Sequence, residues 1–95
     1  MAGEIGSMAI EGELSIYAAA GLRERLLEAL DATGTLELDL AAVTEMDSAG
    51  VQLLLAAAKQ AAQQGKTLRL ARCSAAVMDA LALCGLGEMA EGQQP

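Results

Sequence analysis

The 95-residue chain has no histidine, no tryptophan and no phenylalanine, one tyrosine, two cysteines and a single proline as its last residue. Without histidine, Ser-His-Asp and Cys-His catalysis are excluded, and with them most zinc chemistry. The two cysteines, Cys73 and Cys84, fall outside any C-x-x-C or zinc spacing and sit in apolar surroundings, which predicts buried free thiols. Cations are also scarce. Six Lys and Arg stand against thirteen Asp and Glu, for a net charge of -7, so a surface that neutralises nucleic-acid phosphates is not expected. The apolar runs are interrupted by Gln52, Lys59 and Gln60 and are too short to span or insert into a bilayer. The start, "MAGEIGSMAIEGE", carries acids where a signal peptide needs a basic stretch, so a cytoplasmic protein is expected.

What the chain does have is small aliphatic residues. It is 54% hydrophobic with one aromatic, Tyr17, so its core must come from Leu, Ala, Val, Ile and Met. The length suits one small domain over residues 1–95, with a core at about 6–86 and a flexible tail at 87–95.

Met8 and Ile10 alternate with smaller or polar residues and predict a short strand ended by Gly12. From Ile16 to Leu30 the residues Ala19, Leu22, Leu26, Ala29 and Leu30 share one helical face, with Ser15 as N-cap, while "ELSIY" also alternates and leaves an extended reading of this boundary open. "TLELDL" reads as a strand, Leu36, Leu38 and Leu40 on one face and Glu37 and Asp39 on the other. A helix over Ala49–Gln64 has the stripe Val51, Leu54, Leu55, Ala58 and Ala62, and Gly65 stops it. "KTLRLAR" alternates again with Leu68 and Leu70 inward. Ser74 then caps a last helix bearing Val77, Ala80, Leu81 and Cys84, which Gly85 and Leu86 end. The order predicts an α/β domain. Its sheet would be mostly parallel, about four-stranded, with the helices mainly on the leucine face.

Parallel sheets place their sites at the carboxyl ends of the strands, and "TEMDSAG", Thr44 to Gly50, leaves that end of "LELDL". Two readings of Ser48 are open. It can cap the helix beginning at Ala49, accepting a bond from the amide of Gly50 or Val51. It can also accept a phosphate, which the unpaired amides and positive end of a helix would hold. Gly50 would leave the backbone accessible. Glu45 and Asp47 would add their charge to that of the phosphate. A carboxylate pair of Asp39 and Asp47 is disfavoured, because Asp39 belongs to the solvent-facing row with Glu37 and no lysine is suitably placed. No nucleotide-binding glycine string is present, Arg69 and Arg72 read as solvated charges, and no metal or cofactor is implied.

The stretch "LDLAAVTEMDSAGVQLLLAAAKQAAQQGKTLRL", with "EGELSIYAAAGLRERL" before it and "CSAAVMDALALCGL" after, resembles the STAS family, named for sulphate transporters and anti-sigma factor antagonists. The resemblance covers most of residues 6 to 86. It implies a non-enzymatic partner-switching module that binds a GHKL-type serine kinase acting as an anti-sigma factor. Phosphorylation of the motif serine would end the binding, and a phosphatase would restore it. The acceptor maps to Ser48, with Asp47 and Gly50 as matching neighbours, and Ala49 stands where a second serine is common. The partner surface would take in Thr44, Glu45, Met46, Asp47, Ala49, Gly50 and Gln52. Compact members also resemble chemotaxis-type signalling proteins and the accessory subunit that binds the ATPase of a lipid-transporting ABC complex.

Overall fold

The structure, a computed structural model, describes residues 5–87. Strand β1 (Ile5–Leu14) leads into helix α1 (Ile16–Asp31), strand β2 (Thr35–Met46), helix α2 (Ser48–Gln63), strand β3 (Thr67–Ala71) and helix α3 (Ala75–Leu83). The strands form one parallel sheet in the order β1-β2-β3. Among the described residues the sheet therefore has three strands, where about four were expected. The proposed tail lies outside the described residues except for Gly87.

Burial alternates along β2 as the sequence requires. Leu36, Leu38 and Leu40 are sealed beneath the helices, and Glu37 and Asp39 lie half-buried on the opposite face. There Arg69 approaches Glu37 at 3.7 Å and Arg72 approaches Asp39 at 3.3 Å. These arginines were expected to be simply solvated. Their side chains are still half or more exposed, so the pairs add little stability and chiefly balance charge. The helices pack on the leucine face, joined by Leu22, Leu26 and Leu30 of α1 and Val77 and Leu81 of α3. Burying each such leucine stabilises the fold by roughly 1.5–3 kcal/mol.

Helix α2 is turned slightly from the expected stripe. Val51 and Leu54 are buried as read, but Leu53, Ala57 and Ala61 join them, Leu55 and Ala58 are half-buried and Ala62 is exposed. The cause is α1, because Leu53 and Ala57 meet Leu26 and Leu27 in the seam between the two helices.

Both strand boundaries differ from the expectation. β1 continues through Gly12, whose φ of 79° only glycine adopts readily, to Leu14. β2 continues past Leu40 because it bulges twice against β1. Ile10 faces both Leu40 and Ala41, and Thr44 is inserted between the partners of Gly12 and Glu13. Each extra residue flips the inward parity, from Leu40 to Val43 and then to Met46. "TEMDSAG" is thus the end of a strand and the start of a helix, with no intervening loop.

Candidate functional site

β1 and β2 end together, Leu14 opposite Met46, so α1 and α2 begin side by side at the carboxyl edge of the sheet. Ser15 caps α1 as expected, its hydroxyl accepting from the Tyr17 amide at 3.3 Å and donating to Glu13 Oε1 at 2.9 Å. The cap of α2 is Asp47, not Ser48. Strand β2 runs to Met46, so the helix begins one residue earlier than the alternation suggests. The Asp47 carboxylate, in extended backbone, then reaches forward to the Gly50 amide at 3.1 Å. Its other oxygen accepts from the Ile16 amide at 3.3 Å. One carboxylate therefore ties the first turns of two helices, with its charge at both positive ends. Replacing Asp47 by alanine should cost about 1–2 kcal/mol in urea denaturation, and asparagine, which keeps one acceptor oxygen and loses the charge, should recover only part of that.

Ser48 is freed by this arrangement. It is the first helical residue of α2 and is exposed. Gly50, which was expected to leave the backbone accessible, is buried instead. A β-carbon there would strike the Leu14 carbonyl oxygen and come within 3.1 Å of Leu14 Cδ2 and Met46 Cγ. The glycine lets α2 sit directly on the end of β1, and it presents no surface to a partner. The other residues of the motif divide by face. Thr44, Glu45, Asp47 and Gln52 are exposed, and Met46 and Ala49 are half-buried.

Beside Ser48 a shallow groove runs between α2 and α3, floored by Met46, Val51 and Ala80 and edged by Leu83 and Cys84. Three exposed apolar residues at this end escaped the sequence reading. They are Ile16 and Tyr17 in the first turn of α1 and Leu83 at the end of α3. The available signal was their position. Tyr17 and Leu83 both lie off the stripes that bury their helices.

The cysteines also differ from expectation. Cys84 is exposed on the groove and Cys73 is half-buried. Burial pushes the Cys73 thiol above its ordinary value, opposed in part by a backbone hydrogen bond. The thiolate is the reactive form, so iodoacetamide near neutral pH should alkylate Cys84 first and Cys73 distinctly later, as peptide mapping over time would show.

The disfavoured carboxylate pair is not assembled. Asp39 holds Arg72 and accepts from the Ala41 amide at 3.0 Å, while Asp47 holds the two helix starts. Among the described residues no three His, Cys, Asp or Glu side chains gather as metal ligands, and no helix is long and apolar enough to cross a membrane.

Comparison with known proteins agrees with this architecture. A family model described as "Mlab, STAS domain" matches residues 1–91. The anti-sigma factor antagonist SpoIIAA in its unphosphorylated form superposes with a TM-score of 0.76 at 25% identity, over 90% of this chain and 76% of that one. A sulfate transporter family protein from Wolinella succinogenes gives 0.73 at 23% identity, over 94% and 74% of the two chains. The STAS domain of a SulP transporter from Vibrio cholerae gives 0.67 at 22% identity, over 90% and 67%. A comparison with curated proteins finds no match.

Proposed function

The chain belongs to the STAS domain family, and from that premise we propose that it is a cytoplasmic, non-enzymatic partner-switching protein of the anti-sigma factor antagonist type. It binds a GHKL-type serine kinase through the end of the sheet around Ser48, and phosphate on Ser48 ends the binding until a phosphatase removes it. One observation carries the reading. Ser48 is exposed at the first position of a helix whose cap is another residue, so its hydroxyl is available without loosening the helix. The likeness to SpoIIAA, an antagonist described in its unphosphorylated form, supports it.

The step is a phosphoryl transfer. Ser48 Oγ attacks the γ-phosphorus of the kinase's ATP, an O–P bond forms as the bond to ADP breaks, and the hydroxyl proton passes to a base on the kinase. The product adds about two negative charges beside Asp47 and Glu45, next to an apolar groove. A partner packed there would have to desolvate the dianion, which removes the affinity. No cofactor or metal takes part on this chain.

A second reading is favoured by the exposed Ile16, Tyr17 and Leu83, which suit a contact that is permanently covered. The chain would then be the accessory subunit bound to the ATPase of a lipid-transporting ABC complex, with no phosphate required. Affinity purification of the tagged chain from its own cells separates the two. A co-purifying GHKL kinase supports the first reading, and an ABC ATPase without a kinase replaces it by the second.

A further inference from the structure

We infer that the chain carries a small-molecule site remote from Ser48. A cavity in the seam between α1 and α2 takes a short, branched monocarboxylate, with its apolar body inside and its carboxylate on Arg23.

The cavity follows from the composition. Where the two helices meet, α1 presents Leu26 and Leu27 while α2 presents Leu53, Ala56 and Ala57. Leu26 and Leu53 are buried and hold the helices at a separation that the two alanines do not fill. With no tryptophan or phenylalanine, and with Tyr17 exposed, the chain has no ring to place there. A space of about 110 Å³ remains, partly open to solvent. Its walls lack the contacts that a packed neighbour would give them. Since an engineered apolar cavity of about 150 Å³ holds benzene, this one suits an apolar body of about four or five carbons.

Two polar side chains mark the rim, Arg23 and Gln60, and the fold uses neither. Among the described residues Arg23 makes no ion pair, and neither side chain makes a hydrogen bond. The residues one turn away from Arg23 on α1 are Ala19, Ala20, Leu26 and Leu27, so its own helix supplies no carboxylate. Other cations of the chain are committed. Arg69 and Arg72 face Glu37 and Asp39, and Lys66 donates to the Leu30 carbonyl.

A guanidinium left over at the mouth of an apolar cavity selects an anion, and its planar fork suits a carboxylate, which accepts two parallel N–H bonds. The Gln60 amide offers a further donor at the same rim. The net charge of -7 favours a single negative charge on the ligand, because a dianion would meet twice the repulsion. The groove beside Ser48 shares no residue with this cavity, so the site stands apart from the phosphate switch.

Amide NMR spectra of the full chain titrated with isovalerate test this. The expected result is saturable shifts centred on Leu27, Ala56 and Gln60, half complete at about 1 mM, a strength within reach of so small a ligand. Isoamyl alcohol keeps the body without the charge, and acetate the charge without the body. Each should bind at least about tenfold more weakly. Arg23→Gln should lose about as much for isovalerate, with the fold kept because Arg23 is exposed. Ala56→Leu should fill the cavity and abolish the saturable shifts, with a urea midpoint at or above that of wild type, since Ala56 is exposed at the rim. Ser48→Asp should bind isovalerate as wild type does, whatever becomes of the switch. Shifts that stay linear to about 50 mM, shifts centred on other residues, equal binding of isoamyl alcohol, tighter binding of a long-chain fatty acid, or unchanged binding by Ala56→Leu would each overturn the inference.

Discussion

Gly50→Ala is expected to destabilise the domain by about 3 kcal/mol, although alanine in place of glycine inside a helix ordinarily stabilises by roughly 0.5–1 kcal/mol. The reversal comes from one contact. The new methyl would overlap the carbonyl oxygen of Leu14, a backbone atom in the middle of the strand-to-helix junction, and no rotamer can move it away. Relief requires α2 to lift off the end of β1. That would stretch the bond from the Ile16 amide to Asp47 and the bond from the Asp47 amide to the Leu14 carbonyl, and open the packing of Val51 and Leu54. The matched control is Gly21→Ala in α1. Gly21 is exposed, with nothing within 4 Å of an added β-carbon, so only the helix preference remains and stability should rise. Equilibrium urea unfolding of the two variants, fitted with a common slope, measures both effects. Equal shifts of the same sign would contradict the close approach of α2 to β1.

Ser48→Asp is expected to weaken partner binding by about 100-fold, or roughly 2.7 kcal/mol, while Ser48→Ala binds as wild type does and escapes the switch. The fold should be indifferent to both changes, because Ser48 is exposed and Asp47 supplies the cap. A carboxylate at the first helical position is even favoured by the helix dipole. The loss must therefore come from the interface, where a charge faces Met46, Val51 and Leu83. Circular dichroism and urea midpoints matching wild type, alongside lost binding of Ser48→Asp, would separate an interface effect from a folding effect.

Much of this arrangement can be read from the residues. Helix α1 is legible because its cap and its stripe agree, and α3 because Gly85, with φ 74°, lets the Leu86 amide return to the Leu81 carbonyl at 2.7 Å. Alternation in "ELSIY" carries β1 as far as Glu13 and Leu14 but runs on into the first turn of α1, and the end of β2 is not legible by alternation at all. Each bulge in β2 resets the parity, so "AAVTEM" loses the period-2 pattern while remaining strand. Pairing with β1 decides where the strand stops, and pairing is a property of two segments. The same limit applies to the site. Ser48 stands out because it lies where a helix begins, but the second bond of Asp47 goes to an amide 31 positions earlier. Gly50 reads as an open position until the Leu14 carbonyl is placed against it. Cys84 looks like a core residue on an almost wholly apolar helix. Only the position of α3 against β2 shows that it faces outward.

The most direct test of the switch is calorimetric titration of the co-purifying kinase with two forms of the full chain. One carries serine at position 48, and the other carries phosphoserine placed there genetically, so that no assumption about phosphorylation in cells enters. The expected result is tight binding of the serine form and a loss of about 100-fold or more with phosphoserine, restored by phosphatase treatment. Affinities for the two forms within about twofold of each other would contradict the proposal that phosphate on Ser48 controls this surface.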